Sequence, residues 1–147
     1  MIERSLEIKA STEMLFDLSQ DYSKRLAWDP FPESYRFLNG TQPAKGLQLE
    51  IVAKNGFSMT VEYVSYKRPS VVAIKMVRGP WAFAKFAGSW TFQKIPPDSS
   101  KVTFKYNIIG APSWLRYIVT PVINFVFGRS AKRRLAALND YMEKLDC

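Results

Sequence analysis

Residues 86–109 read FAGSWTFQKIPPDSSKVTFKYNII, and residues 118–145 read IVTPVINFVFGRSAKRRLAALNDYMEKL. The first stretch has a period of two. Trp90 and Phe92 fall on one side of a strand, and Val102, Phe104, Tyr106 and Ile108 on one side of the next. Pro96-Pro97-Asp98-Ser99-Ser100 between them is turn chemistry, so the segment reads as a hairpin. The second stretch changes period. Ile118, Val122, Phe125, Ala131, Leu135, Leu138, Met142 and Leu145 recur at steps of three and four, with one wider gap across Gly128. That is the stripe of a long helix, which Pro121 starts or kinks. A sheet that ends in a long amphipathic helix must bury one face, and this helix is the only element large enough to cover it.

Working outward, the period of two extends back to Tyr35. Leu47, Leu49, Ile51 and Ala53 alternate with polar residues, and Asn55-Gly56 is a strong hairpin signal. Phe57, Met59, Val61 and Tyr63 share the next face, Pro69 ends that strand, and Ser70 to Arg78 forms another. At the N-terminus, Ile2 to Lys9 is a strand with Ile2, Leu6 and Ile8 on its apolar side. Ser11 caps a short helix with Glu13 in its first turn and Met14, Leu15 and Leu18 on its apolar side. Asp21 to Trp28 is a second short helix, stopped by Pro30 and Pro32. The expectation is one α+β domain over 1–147: a curved antiparallel sheet of about seven strands around a long C-terminal helix, with two short helices after strand one. A sheet curved around one helix does not close on it everywhere, which predicts a cavity between them.

Composition removes much chemistry. The chain has 147 residues, no histidine and one cysteine, Cys147. Without histidine there is no Ser-His or Cys-His relay, and a general base must be Asp, Glu, Lys or Tyr. A lone cysteine makes no internal disulfide, zinc site or redox pair. No metal or cofactor is expected. The acidic, alternating N-terminus is not a leader, and Trp114 to Phe127 is too short and too interrupted to span a bilayer, so a soluble cytoplasmic protein is expected.

The net charge of +8 is unevenly distributed. Residues 1–62 carry −2, residues 63–139 carry +12 with Asp98 as their single acid, and residues 140–147 carry −2. Arg129, Lys132, Arg133 and Arg134 concentrate the positive charge on one or two helical turns. They read as a solvated face or as a patch for an anionic membrane surface or an acidic partner. The aromatic interleaving of an RNA-binding strand is missing, which argues against nucleic acid. The sequence says nothing about oligomeric state.

The order of motifs resembles the START-like, helix-grip superfamily, and within it the polyketide cyclase/dehydrase and lipid-transport group. Four places carry the resemblance: Ser11 through Leu18; Asp21 followed by Trp28-Asp29-Pro30-Phe31; Gly88 through Phe92 with Lys101 through Phe104; and Lys132-Arg133-Arg134-Leu135 through Glu143. It spans essentially the whole chain. It implies the helix-grip fold and a hydrophobic-ligand cavity but no particular reaction, because the fold hosts carriers, cyclases and receptors alike. The glycine-rich ligand loop of the plant hormone-receptor branch is missing; Lys54-Asn55-Gly56 stands at the comparable turn.

Within this frame the expected cavity wall comprises Trp28, Met59, Tyr63, Met76, Arg78, Trp90, Phe92, Phe104, Tyr106, Ile118, Val122 and Phe125. Each has a plainer role in core packing, Trp28 above all as an anchor for the short helices. Asp29, Glu50, Glu62, Arg78 and Tyr106 are the candidate polar tips. The segment Gly79 to Phe86, with Trp81, Phe83 and Phe86, reads either as a lid, a dimer contact or a membrane-touching edge, or as buried strand extensions. Trp114 to Phe127 is apolar almost all round, which suggests a buried helix start, or a cavity floor or gate. The leading expectation is binding or transport of a lipid, isoprenoid quinone or polyketide-like molecule. A cyclase or dehydratase that holds a poly-keto chain near attack geometry is the alternative, and an interaction protein acting through its basic face is a further one.

Overall fold

The computed structural model describes residues 2–30, 32–54, 56, 58–80, 83–110 and 116–145, with the backbone alone at 26, 110, 116–120, 123, 124 and 145. Strand β1 (Ile2–Ile8) leads into helices α1 (Thr12–Gln20) and α2 (Tyr22–Trp28). Six strands follow: β2 (Pro32–Phe37), β3 (Gln48–Ala53), β4 (Ser58–Lys67), β5 (Val71–Arg78), β6 (Phe83–Ile95) and β7 (Ser99–Gly110). Helix α3 (Arg116–Leu145) ends the chain.

All strand pairs are antiparallel, in the order β1-β7-β6-β5-β4-β3-β2. The first strand therefore returns to pair with the last, and the edges are β1 and β2. Pro32 is tolerated because it opens an edge strand. Register shifts in the β4–β5 pairing, at Thr60/Val61 and Tyr63/Ser65, bend the sheet as bulges do. Gly56, at φ +95°, supplies the left-handed residue that the β3–β4 turn requires.

Strand alternation puts Met59, Val61 and Tyr63 of β4, Phe86, Trp90 and Phe92 of β6, and Val102, Phe104, Tyr106 and Ile108 of β7 into one core. The second half of α3 lies over it, burying Phe127, Ala131, Leu135, Leu138 and Met142 against β7 and β1. This is the helix-grip arrangement expected from the two periods. Ser11 caps α1 by accepting from the Met14 amide (3.1 Å). Ser100 Oγ donates to the Ala10 carbonyl (2.7 Å), which ties the start of α1 to β7.

Two expectations change. Phe16, not Met14, completes the buried side of α1; Met14 is half exposed. The stretch before Phe127 is not buried all round. Val122 is 61% exposed, Phe125 66% and Val126 49%, because they face away from the sheet on the opposite side of the helix from Phe127. The side chain of Ile118, and Trp114 itself, lie outside the described residues. Phe83 begins β6 and is half-buried, packing on Phe86 and Phe127, while Ala84 and Lys85 beside it are exposed. Trp81 also lies outside the described residues. Among the described residues, no helix is long and apolar enough to cross a membrane.

Candidate functional site

The site grows from the α1–α2 corner. Asp21 ends α1 and caps α2, its carboxylate accepting from the Ser23 amide (3.1 Å). The turns that follow place Arg25 and Asp29 four residues apart on the same side. Arg25 Nε donates to Asp29 Oδ2 (2.8 Å), and Arg25 Nη1 donates to the Ser19 carbonyl (2.6 Å). From α3, Arg134 reaches the same carboxylate through Nη2 (2.8 Å) and Nε (3.1 Å to Oδ1). Arg134 Nη1 donates to the Tyr106 hydroxyl (2.9 Å). All three charged residues are buried: Arg25 is 5% exposed, Asp29 1% and Arg134 6%.

Such a cluster survives burial only when charges and hydrogen bonds are matched. Burial opposes ionisation of Asp29, but Arg134 and Arg25 outweigh it and hold the carboxyl below the usual carboxylate range. Burial likewise opposes the charge of Arg25, and Tyr35 and Asp29 outweigh it, so the guanidinium stays protonated. Aromatic faces supply further compensation. The Arg134 guanidinium lies 4.6 Å from the Phe104 ring centre and 5.5 Å from that of Trp90. Arg25 lies within 5.5–5.8 Å of the rings of Trp28, Tyr22, Tyr35 and Trp90.

Beside this cluster runs a directed hydrogen-bond chain. Tyr22 donates its hydroxyl proton to the Tyr63 oxygen, and Tyr63 donates to Gln20 Oε1 (2.6 Å). Gln20 Nε2 donates to Ser19 Oγ (3.0 Å), which donates to the Phe16 carbonyl (2.8 Å). Burial, with Tyr22 as the next contributor, pushes the Tyr63 phenol well above its ordinary range, so it is neutral at physiological pH.

These groups help line a partly open cavity of about 40 Å³ beneath α3. Gln20, Tyr22, Arg25, Tyr35, Tyr63 and Arg134 give the polar pole. Met59, Ile74, Phe86, Trp90, Phe104 and Tyr106 also line it, and Trp90, Phe104 and Tyr106 adjoin Arg134 directly. The rings interlock edge to face, with Trp90–Phe104 at 4.4 Å and Phe104–Tyr106 at 4.6 Å between centroids. Side chains thus fill most of the space between sheet and helix.

Of the expected wall, Met59, Tyr63, Trp90, Phe104 and Tyr106 surround this cavity. Trp28 is buried one layer back, its ring edge-on to Trp90 at 6.2 Å. Phe92 stacks on Trp90 and meets Phe16, so it packs the core behind the cavity. Met76 is half-buried against the Gly79 turn.

Six residues need correction. Arg78 is exposed, in a surface groove with Leu38, Gln48, Thr60 and Val77, because the register shift at Thr60/Val61 breaks the alternation that would have turned it inward. Val122 and Phe125 face solvent. Arg134 is buried and does not join Arg129, Lys132 and Arg133, which are exposed. One residue step turns the helix by about 100°, which separates Arg134 from Arg133. Glu50 and Glu62 are also not cavity tips: Glu50 pairs with Arg36 (3.5 Å), and Glu62 accepts from Gln48 (3.1 Å).

The fold and its buried polar pole define a helix-grip protein with a cavity under the last helix. The sequence matches the polyketide cyclase/dehydrase and lipid transport family over residues 1–143, and the chain belongs to that family. No sequence among curated proteins matches it. Solved structures share the fold at low identity. A START superfamily protein from Mycobacterium smegmatis is 16% identical with a TM-score of 0.77, over 98% of this chain and 97% of that one. The Zhui aromatase/cyclase from Streptomyces sp. R1128 is 13% identical with a TM-score of 0.77, over 97% and 93%. A protein from Thermus thermophilus is 12% identical with a TM-score of 0.81, over 99% of both chains.

Proposed function

We propose that the protein binds a hydrophobic small molecule in the cavity beneath α3, with an oxygen-bearing end of the ligand held at the polar pole. The carrying observation is the polarity of the cavity itself. Aromatic and aliphatic side chains share the lining with Arg25 and with Tyr22, Tyr63 and Gln20, which are linked to one another by hydrogen bonds. Apolar walls supply affinity through burial, and a few fixed polar groups supply orientation. Arg25 is a charged donor, which favours a carboxylate, phenolate or carbonyl oxygen. Lipids, isoprenoid quinones and polyketide-like aromatics all bring such an end.

The cavity volume of about 40 Å³ takes only a few water molecules, whereas small-molecule pockets usually run to roughly 300–1,000 Å³. Binding therefore displaces side chains. Met59 is suited to this, since its unbranched, flexible chain repacks at low cost.

A fluorescence titration using Trp90 in the cavity wall tests the reading, with matched ligands that differ only at one end. A long-chain fatty acid, its alcohol and its hydrocarbon form one series; an isoprenoid quinone and a hydroxylated polycyclic aromatic extend it. Saturable binding is expected for the oxygen-bearing members and much weaker binding for the hydrocarbon. No saturable change with any member would count against the proposal.

A cyclase or dehydratase reading rests on one specific contact. The Tyr106 hydroxyl accepts from Arg134 (2.9 Å), which polarises it as a donor toward a substrate carbonyl in the cavity. Turnover of a poly-keto chain that Tyr106→Phe abolishes while binding persists would favour this reading over simple carriage.

A further inference from the structure

The two sides of α3 differ in kind. Toward the sheet it presents Phe127, Ala131, Leu135, Leu138 and Met142, all buried. Away from the sheet, Val122, Phe125 and Val126 are exposed, followed on the same stripe by exposed Arg129, Lys132 and Arg133. The spacing of three, one, three, three and one keeps these six on one helical face. At 1.5 Å rise per residue they span about 16 Å.

Nothing about folding calls for three large apolar side chains in water at the head of this face. Isolated exposed apolar residues are ordinary, but a contiguous set rimmed by one sign of charge marks a contact surface. The charge is one-sided here. Between Arg116 and Asn139 the helix sequence has no acid, and its first acidic residue is Asp140. The Arg129 guanidinium lies 5.8 Å from the Phe125 ring centre, so the basic and apolar parts adjoin.

We infer that this face of α3 docks on an anionic lipid surface, with Val122, Phe125 and Val126 entering the interface and Arg129, Lys132 and Arg133 meeting the headgroup phosphates. Apolar side chains alone suit many partners. Apolar side chains followed by a run of Arg and Lys suit the headgroup boundary of an anionic bilayer, where acyl chains lie just beneath phosphate. The +12 block over residues 63–139 adds longer-range attraction. Docking sets the helix that covers the cavity against the lipid, with Arg134 on its inward side. The inference does not depend on what the cavity holds.

Vesicle co-sedimentation tests it, with phosphatidylcholine vesicles made with and without phosphatidylglycerol, at low and high salt. Binding is expected only with phosphatidylglycerol and is expected to weaken as salt rises. Reversing Arg129, Lys132 and Arg133 to Glu together should weaken binding by roughly tenfold or more. Phe125→Asp should weaken it by about tenfold, with circular dichroism and thermal melting unchanged because that side chain is exposed. Equal binding to both vesicle types, or no effect of either variant, would overturn the inference. So would self-association without vesicles that Phe125→Asp abolishes, which would assign the face to a second copy of the chain. Binding to heparin or RNA with none to vesicles would overturn it as well.

Discussion

Arg133 and Arg134 are adjacent in the chain and lie in opposite environments. Arg133 is exposed on the outer stripe of α3, beside Lys132 and Arg129. Arg134 is 6% exposed, bound to Asp29 and Tyr106 and stacked over Phe104. The same functional group thus serves two physical ends. In water it is a screened charge that costs the fold almost nothing to keep or lose. In the core it is acceptable only as part of a network in which each partner depends on the others. The inner cluster is expected to govern stability and the cavity's polar pole, and the outer one to govern association.

The contrast is tested most severely by deletion. Arg134→Ala leaves Asp29 with less compensation, and Asp29→Ala strands two buried guanidinium groups; each should cost about 3–5 kcal/mol in urea denaturation. Arg133→Ala should change stability by no more than about 0.5 kcal/mol. Equal effects at the two arginines would remove the distinction. Replacing Arg25, Asp29 and Arg134 together by apolar residues of similar size should recover most of the lost stability, as buried ion clusters often allow.

Acid titration sharpens the same point. The folded carboxyl of Asp29 titrates below its unfolded value of about 3.9. Its stabilising contribution is therefore complete above that value and is lost as pH falls toward the lowered folded value. Urea midpoints should decline below about pH 4. Asp29→Asn should be less stable at neutral pH and flatter across the acid range. An unchanged acid slope in that variant would show that Asp29 is not the group responsible.

A smaller loss is expected in the neutral half of the site. Tyr63→Phe removes the link between Tyr22 and Gln20 and should cost about 1–3 kcal/mol, the range for leaving buried hydrogen-bonding groups unpaired. The smallest expected effect is a gain. In Gly128→Ala the new methyl would meet mainly the end of the Arg4 side chain (2.9 Å), which is flexible and can move aside. The helix then benefits from alanine's propensity by up to about 1 kcal/mol. Thermal melting measures both.

The architecture was legible because it rests on periodicity. The hairpin of β6 and β7 and the stripe through Leu135, Leu138 and Met142 each announce themselves over many residues. Local chemistry marked the α1 cap at Ser11 and the glycine turn at Gly56. The polar pole was harder to read, since it depends on contacts between distant positions. Asp29 and Arg134 are 105 residues apart, and no local pattern pairs them. Arg25 had a signal that was available, its four-residue spacing from Asp29 beside Trp28. Gln20, Tyr22 and Tyr35 had none. Arg78 was misplaced because a bulge is invisible to simple alternation. Val122 and Phe125 were misplaced because an apolar residue on a helix does not state which neighbour, if any, will cover it.

Ligand binding in the space under the inner face of α3 is the proposed activity, and Gly88 offers the most direct access to it. Gly88 lines the cavity, and a Cβ there would stand at ordinary contact distance from the side chains of Tyr106 (3.8 Å) and Ile74 (3.9 Å). Gly88→Val therefore adds methyl groups to the cavity at a strand position that favours β-branched residues. Native mass spectrometry of the wild type, Gly88→Val and Arg133→Glu, each incubated with fatty acids, isoprenoid quinones and hydroxylated aromatics, is the decisive measurement. A one-to-one complex is expected for the wild type and for Arg133→Glu, and none for folded Gly88→Val. No complex with the wild type, or an equally strong one with Gly88→Val, would contradict the proposal.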